Sequence, residues 1–387
     1  MNLLADIQSP ELEHSISHLL EVPPYGIAPE QRHKALLALF KQELDYACAR
    51  NPQFCNYVKH WPIAVSAAQN ISDLPYLPVS AFKANPPLSL VPPRDVKRTL
   101  TSSSTSGQVP SRVVLDAATS KRMTKGVIAI IRDFIGPSRR PYLVIDTPEN
   151  LGRQAELGAR GAAIQALGSF ATEISCCLRP DQQGEPSLDL EKLLASVEKW
   201  KDAEVLVYGF THLIWVHFVQ ALQGRGITLN MPRIHVLHSG GWKRLERLAV
   251  TKDVFIRNVS SVFGCPPDRV IDYYGMVETV GVVYPDCELG YKHVPAFADL
   301  IVRDPLTLAP VGVGQQGLVQ VCSVLPTSFP GFLLLTDDMA EIIGHDGCLC
   351  GRRGTHFRFL RRVPKSEVRG CGNLETTRQR FERGSNV

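Results

Sequence analysis

The sequence predicts an α/β protein with a largely parallel sheet, followed by a small lobe rich in β-strands. The chain has 387 residues, 44% hydrophobic and 21% charged, which is enough apolar material for a large core. Between residues 141 and 275, short apolar runs alternate with stretches of helical periodicity, as in strands joined by crossover helices. From about Tyr291 the pattern changes to strands joined by turns, which indicates the second lobe.

The individual elements follow in chain order. The first part is helical because Leu36, Phe40 and Leu44 recur at helical spacing. Residues 74–93 contain so many prolines that neither a helix nor a central strand is expected. The buried strands are predicted at 141–146, 204–210, 233–241 and 269–275, the helices between them at 187–200 and 211–223, and the strands of the second lobe at 297–305, 317–325 and 340–347.

Charge and hydropathy exclude several classes of protein. The net charge of +4 is small, and no basic run is interleaved with aromatic residues, so no nucleic-acid partner is expected. No apolar run approaches the roughly 18–20 residues of a membrane span, and the acidic start does not resemble a secretory signal. We expect a cytoplasmic protein, in which the 10 cysteines are core residues, metal ligands or nucleophiles rather than disulfides.

A loop rich in hydroxyl groups precedes the first buried strand. It contains Ser102, Ser103, Ser104, Thr105, Ser106 and Gly107. Hydroxyl and backbone N–H donors can wrap a phosphate chain, although the spacing is not that of a Walker A loop. A solvated surface loop would have the same composition.

Three further motifs follow apolar strands. The glycines of Ser239–Gly241 would let a ligand approach the end of a parallel strand, where a tight turn is the alternative. The carboxylate of Glu278, after Tyr274 and Gly275, is suited to Mg²⁺ beside a phosphate. Asp338 could accept hydrogen bonds from a ribose, or simply begin a type I turn.

The order of these four motifs resembles that of the adenylate-forming superfamily of acyl and aryl acid ligases. Within it, the chain is similar to the acyl-protein synthetase (LuxE-type) branch, which supplies activated fatty acid to a reductase. The resemblance spans about residues 20–373 and rests on LPVSAFKANP, LTSSSTSGQVPSRVVLD, VLHSGGWKRL, DYYGMVE and FLRRVPKSEVRGCGN.

The resemblance implies a large AMP-binding domain over 1–362, including the β-rich lobe at about 290–360, with the C-terminal domain reduced to a stub at 363–387. It also implies ATP and Mg²⁺ as cofactors, with Glu278 binding the metal and Lys365 near the adenylate. The ATP site would comprise Ser102, Ser103, Ser104, Thr105, Ser106, Gly107, Arg112, Ser239, Gly240, Gly241, Tyr274, Gly275, Asp338 and Arg362. Ser104 departs from the family pattern because it replaces a usual glycine and adds a Cβ.

The C-terminal segment contains Cys371 between two glycines. In the acyl-protein synthetases a cysteine at this place accepts the acyl group as a thioester. Flanking glycines give the segment mobility, and Lys365 and Arg369 would favour the thiolate. An inert cysteine is the alternative.

A second set of cysteines is predicted to bind a structural zinc ion. Cys287 and His293, and Cys348 and Cys350, lie at turns of the β-rich lobe, and three cysteines with one histidine are a common zinc set. The C-x-C spacing is tighter than usual. Aryl-CoA ligase relatives have a similar pattern associated with zinc, and reduced thiols with a surface histidine are the alternative.

The sequence leaves three functional hypotheses. In the first, the enzyme adenylates a fatty or aromatic acid, loads it onto Cys371 and delivers it to a reductase-type partner. In the second, the acyl-adenylate passes to CoA, a carrier protein, an amine or a reductase without self-acylation, as in phenazine-type metabolism. In the third, motivated by Ser104, the chain is a non-catalytic relative that binds a nucleotide or a partner.

Overall fold

Two six-stranded sheets organise the part of the chain that the computed structural model describes, which comprises residues 12–102, 109–151, 156–279 and 281–363. The α-helices are α1 Leu12–Leu19, α2 Pro29–Arg50, α3 Pro52–Lys59, α4 Ala117–Ile135, α5 Ala159–Leu167, α6 Leu190–Trp200, α7 Thr211–Leu213, α8 Gln220–Gln223 and α9 Lys252–Phe263. A π-helical segment, Ile214–Val219, joins α7 to α8. Short 3₁₀ helices occupy Val65–Ala67, Ile71–Asp73, Val79–Lys83, Pro93–Asp95, Pro148–Leu151, Gly168–Phe170, Lys243–Leu248, Pro267–Arg269 and Val277–Thr279.

Strands occupy all the ranges that the apolar runs predicted, although the last of these begins earlier, and further strands occur that the sequence did not predict. They are β1 Leu77–Pro78, β2 Arg98–Thr101, β3 Arg112–Leu115, β4 Arg140–Ile145, β5 Glu156–Gly158, β6 Ala171–Cys176, β7 Leu178–Pro180, β8 Pro186–Leu188, β9 Val205–Phe210, β10 Ile234–Ser239, β11 Val270–Tyr274, β12 Tyr284–Pro285, β13 Lys292–His293, β14 Ala298–Arg303, β15 Gln316–Ser323, β16 Leu333–His345 and β17 Thr355–Arg362. The proline-rich residues 74–93 form only the two-residue β1 and short 3₁₀ turns.

The central sheet has the order β12-β11-β10-β9-β4-β6. All of its pairings are parallel except that of β11 with β12. Every residue of β9 and β10 is buried, because both faces of the sheet are covered. Helices α6 and α9 and the π-helical segment cover one face, while α4 and α5 cover the other. The sequence prediction of an α/β fold with a parallel sheet is therefore confirmed.

The β-rich lobe is an antiparallel sheet of order β13-β17-β16-β15-β14, and β1 adds to β16 in parallel. A third sheet, β3-β2-β5, carries the ends of the hydroxyl-rich loop. Helix α4 begins where the Asp116 side chain accepts a hydrogen bond from the Thr119 N–H at 2.7 Å. It ends at Gly136, whose φ of 81° only glycine adopts without strain.

Helix α4 joins the two halves of the protein. Val127 and Ile131 pack on the central sheet, while Met123 and Ile130 pack in the cluster that includes the β-rich lobe. The helix comes so close to Gly281 that a Cβ on Gly126 would lie 2.7 Å from the Gly281 carbonyl oxygen. None of the helices in the described ranges is long and apolar enough to cross a membrane.

Candidate active site

Two serines close the base of the hydroxyl-rich loop. The Ser102 hydroxyl accepts a hydrogen bond from the Ser111 N–H at 2.9 Å, and the Ser102 N–H donates to the Ser111 carbonyl at 3.0 Å. The antiparallel pairing of β2 with β3 sets this register, since Thr101 lies opposite Arg112. Of the predicted residues, those outside the described ranges are Ser103, Ser104, Thr105, Ser106, Gly107, Lys365 and Cys371.

Glu278 lies at the same place. Its side chain is 4% exposed and is hydrogen-bonded to Ser111. Burial raises the pKa of the Glu278 carboxyl, although Ser111 and Arg362 act in the opposite direction. A carboxylate held in so dry a position is stabilised by a nearby cation, which fits the predicted magnesium ligand.

Asp338, Tyr274 and Arg362 form the other side of the site. The Tyr274 hydroxyl donates to Asp338 Oδ2 at 2.9 Å, and the Arg362 Nε lies 3.7 Å from Asp338 Oδ1. Asp338 and Arg362 face each other because β16 pairs with β17 in that register. Burial raises the pKa of Asp338, while Arg362 and Tyr274 oppose this shift. The ring of Tyr274 stacks on Phe359, with 5.0 Å between centroids.

The glycine motif ends β10 at the carboxyl edge of the central sheet. Gly240 has a φ of +77°, and a Cβ on it would lie 3.6 Å from the Phe210 ring. No atom comes within 4 Å of the corresponding position on Gly241, so the backbone there is open. Gly275, immediately after β11, is exposed at the same edge. Arg112 starts β3, and its Nε is buried without a hydrogen-bond partner among the described residues.

The structure therefore brings together Ser102, Glu278, Asp338 and Arg362. The charges of Asp338 and Arg362 both act on the Glu278 carboxyl. Glu278 lies in the 3₁₀ turn after β11, whereas Asp338 and Arg362 lie on paired strands of the β-rich lobe. Sequence reasoning missed Ser111, which links the loop base to Glu278. The only signal for it was its place directly before Arg112 at the far end of the same loop.

A buried charge network beneath the edge was also missed. Lys292 is 3% exposed, and its Nζ lies 3.0 Å from Asp272 and 3.2 Å from Asp286. Burial would lower the pKa of Lys292, but the two carboxylates outweigh it and raise the pKa. Lys252 also pairs with Asp286, at 2.6 Å. The network joins Asp272 on β11 to Lys292 on β13 and to Asp286, which directly follows β12.

The four predicted zinc ligands lie together in the β-rich lobe. The ligand atoms of Cys287, His293, Cys348 and Cys350 are all within 4.8 Å of one another, and Cys350 Sγ lies 3.3 Å from His293 Nε2. His293 is fully buried, which contradicts the alternative of a surface histidine. Burial lowers the pKa of His293 to about 4, so its imidazole is neutral, which is the form that binds metals.

The thiols of Cys287 and Cys348 have raised pKa values without a cation. Burial and the neighbouring thiols raise the pKa of Cys287 to about 12. A metal ion would reverse this shift, because thiolates are the form that coordinates zinc. The donor set of three sulfurs and one nitrogen fits a structural site.

Comparison with known proteins identifies a family. The family model described as "Acyl-protein synthetase, LuxE" matches residues 11–379. A long-chain-fatty-acid–luciferin-component ligase of Vibrio harveyi is 25% identical over 351 residues, covering 88% of this chain and 87% of the relative. The protein of the same name from Aliivibrio fischeri is 24% identical over 343 residues, covering 86% and 85%.

Solved structures share the fold. A 2-hydroxyisobutyryl-CoA ligase in an open conformation, in complex with 2-HIB-AMP and CoA, superimposes with a TM-score of 0.68 and 16% identity, over 88% of this chain and 76% of that one. The same ligase in the postadenylation state gives 0.66, over 87% and 69%. This likeness establishes the adenylate-forming fold. Together with the family match over most of the chain, it shows that the chain belongs to the acyl-protein synthetase (LuxE) family of acyl-AMP-forming ligases, which use ATP to activate a carboxylic acid.

Proposed function

We propose that this ligase activates a fatty or aromatic acid with ATP and Mg²⁺, transfers the acyl group to its own Cys371, and passes it to a reductase-type partner. The observation that carries the proposal is the convergence of Glu278, Asp338 and Arg362 at the base of the hydroxyl-rich loop. These groups have the chemistry that a magnesium nucleotide requires: a metal ligand, a ribose acceptor and a cation.

The first step needs no protein nucleophile. A carboxylate oxygen attacks the α-phosphorus of ATP, the bond to the β-phosphate breaks, and pyrophosphate leaves. In the proposal, Ser102 to Gly107 and Arg112 hold the phosphates, while Glu278 binds Mg²⁺. The adenine is held by Tyr274, Gly275 and the backbone of Ser239–Gly241, and the ribose is held by Asp338. The protein accelerates the reaction by positioning and by neutralising charge.

The second step uses the segment that follows the site. The N–H of Val363 donates to the Asp337 carbonyl at 2.8 Å, so the chain leaves the described part directly beside Asp338. Cys371 is eight residues further along, a reach of up to about 27 Å. Its thiolate would attack the acyl carbonyl, forming a thioester and releasing AMP. Lys365 lies between Val363 and Cys371 in the sequence and would contact the adenylate.

Intact mass spectrometry tests this order of events. The protein is incubated with ATP, Mg²⁺ and a panel of fatty and aromatic acids, and AMP is measured in parallel. We expect an acyl adduct, removable by hydroxylamine, that maps to Cys371. The C371A variant should lose the adduct and keep AMP formation, while C55A, a matched cysteine control on α3, should behave as wild type.

The results also distinguish the other hypotheses. AMP without an adduct, unchanged in C371A, would favour direct transfer of the acyl-adenylate to CoA, a carrier protein, an amine or a reductase. Absence of acid-dependent pyrophosphate exchange with the whole panel would favour the hypothesis of a non-catalytic relative, which the replacement of the usual glycine by Ser104 suggested.

We also propose that Cys287, His293, Cys348 and Cys350 bind a structural zinc ion. The support is the distance of at most 4.8 Å between their ligand atoms and the neutral, buried imidazole. The ion would tie the turn at Cys287 to the turn at Cys348, both of which are closed by backbone hydrogen bonds. Metal analysis of the purified protein should find one equivalent of zinc, and a zinc-free, folded protein would refute the site.

A further inference from the structure

Strand β16 contains a bulge at the residues that carry the proposed ribose acceptor. Leu318 of β15 pairs with Met339, and Gln320 pairs with Leu335. The single β15 residue between Leu318 and Gln320 therefore faces residues 336–338, which we call the β16 bulge. Two extra residues on one strand preserve the alternation of side chains between the faces of the sheet, but a bulge bends the strand and redirects the side chains within it. The β16 bulge therefore decides where the proposed ribose acceptor points.

The Thr336 hydroxyl bridges the β16 bulge. It donates to the Val319 carbonyl at 2.8 Å and accepts a hydrogen bond from the Asp338 N–H at 3.1 Å. Both partners are main-chain groups at the point where the ladder between β15 and β16 is interrupted. Thr336 is only 3% exposed, and main-chain groups in so dry a place need a partner. This one hydroxyl therefore holds the shape of the bulge.

The carboxylate of Asp338 keeps acceptor capacity at one of its oxygens. Oδ2 accepts a hydrogen bond from the Tyr274 hydroxyl at 2.9 Å. Oδ1 lies 3.7 Å from Arg362 Nε, which is longer than an ordinary hydrogen bond, so its lone pairs can accept from a ligand. The Arg362 side chain is 68% exposed, so this side of the carboxylate lies next to the surface.

Two neighbouring strands hold the main chain of Asp338. On the β17 side it pairs with Arg362 in the ladder. On the β15 side the ladder is interrupted, and the Thr336 hydroxyl takes its place. A ribose offers two neighbouring hydroxyl donors, so the carboxylate must stand at a suitable distance and angle to both. A displacement of about 1 Å is enough to lose such contacts.

We propose that Thr336 is a positioning residue for the nucleotide: its hydroxyl holds the β16 bulge in the shape that presents Asp338 to the 2′ and 3′ hydroxyl groups of the ribose. The inference rests on the proposed function, in which Asp338 holds the ribose, and it adds the residue that makes this recognition selective. Thr336 itself does not contact the nucleotide. The alternative, in which Thr336 only stabilises the β-rich lobe, predicts weaker folding but unchanged discrimination between nucleotides.

Nucleotide binding without turnover tests the proposal. Dissociation constants are measured by isothermal titration calorimetry for ATP and for 2′,3′-dideoxy-ATP, both with Mg²⁺ and with no acid present. We expect the wild type to bind ATP about tenfold or more tightly than the dideoxy analogue, because hydrogen bonds to a charged acceptor are stronger than those between neutral groups.

Three variants of Thr336 assign this preference to its hydroxyl. Thr336→Val keeps the volume of the side chain and removes the hydroxyl, so the preference for ATP should fall to about threefold or less. The loss should come from weaker binding of ATP, with little change for the dideoxy analogue. Thr336→Ser keeps the hydroxyl and should stay within about twofold of the wild type. If Thr336→Val does not fold, Thr336→Ala removes the same hydroxyl without a second methyl group.

Thr355→Val is the matched control. Thr355 is 1% exposed, and its hydroxyl accepts a hydrogen bond from Arg32 Nη2 at 3.0 Å and lies 3.0 Å from His345 Nδ1. It begins β17, at the end remote from Arg362. The variant therefore loses buried hydrogen bonds in the same lobe without affecting the β16 bulge, and it should keep the preference for ATP.

Asp338→Ala separates this inference from the proposed function, and it should lose the preference for ATP. If Asp338→Ala loses the preference while Thr336→Val and Thr336→Ala retain it, the inference is overturned and the ribose role of Asp338 stands. Loss of the preference in Thr336→Ser as well would have the same meaning. No preference in the wild type, no binding of either nucleotide, or a full preference in Asp338→Ala would overturn both.

Discussion

Protonation of His238 should destabilise the protein by about 2 kcal/mol at pH 5. Thr211 Oγ1 lies 3.2 Å from the Ser239 carbonyl and 3.0 Å from His238 Nδ1. Because the hydroxyl has one proton and the carbonyl can only accept, His238 Nδ1–H donates to Thr211. Nε2 is left unprotonated and buried, without a partner among the described residues, and the Phe255 ring lies 4.5 Å away.

The size of the effect follows from the shift in pKa. Burial lowers the pKa of His238 from 6.5 to about 4; Lys292 and Lys252 add to this, and Asp272 at 3.8 Å opposes it. Since the folded pKa is depressed, the unfolded chain binds the proton first, and stability falls as the pH drops from about 6.5 to about 4. Linkage gives a loss of about 2 kcal/mol at pH 5 and about 3 kcal/mol once both states are protonated.

Urea unfolding of His238→Gln at pH 7 and pH 5 measures this loss. The wild type should lose about 2 kcal/mol more than the variant between the two pH values, because the other titrating groups are common to both. His60→Gln, at an exposed position, is the control and should follow the wild type. Tryptophan fluorescence and circular dichroism should give coincident curves, so that the free energies are comparable. Equal losses in wild type and His238→Gln would refute the assignment of a neutral, Nδ1-protonated His238.

Three further changes have expected outcomes. Glu278→Gln should lower acid-dependent AMP formation by about 100-fold or more, through loss of the magnesium ligand, while the circular dichroism spectrum is unchanged; full activity would exclude that role. Cys350→Ser should abolish bound zinc and lower thermal stability, since structural zinc contributes directly to folding; metal analysis and a melting curve measure both, and retained zinc would contradict the ligand set. Gly281→Ala should destabilise by about 2 kcal/mol or more, because φ is +102° and a Cβ would lie 2.7 Å from the Met123 Cα. Gly184→Ala, with a φ of +83° and open space, should cost only about 1 kcal/mol, and equal unfolding energies for the two variants would refute the steric argument.

The order of motifs along the chain was sufficient to predict the main features of the fold and much of the site. Strands that end in Ser239 and Tyr274 are parallel neighbours, so their motifs had to meet at one edge. The two pairs of zinc ligands could be joined because both occurred at turns of one predicted lobe, although Cys287 and Cys350 are far apart in sequence.

What could not be predicted depends on the pairing of distant strands. Asp272, Asp286 and Lys292 are unremarkable in the sequence, and only the arrangement of β11, β12 and β13 turns them into a buried charge network. The Thr211–His238 hydrogen bond likewise requires β9 beside β10. The π-helical segment Ile214–Val219 has an ordinary helical pattern of apolar residues, so its extra width carries no signal in the sequence.

Strand β16 carries Asp338 near its middle and ends at His345, shortly before the turn of Cys348. Its pairing with β17 shifts register twice between these points, at Met339/Ala340 and at Ile342/Gly344. Each shift interrupts the hydrogen-bond ladder between β16 and β17, so Asp338 and the turn at Cys348 are held by separate runs of hydrogen bonds. The turn at Cys348 can therefore vary in sequence without changing the spacing of Asp338 from Arg362. A chimera that exchanges residues 344–356 between relatives would replace two of the four proposed zinc ligands, Cys348 and Cys350, and should leave nucleotide affinity intact.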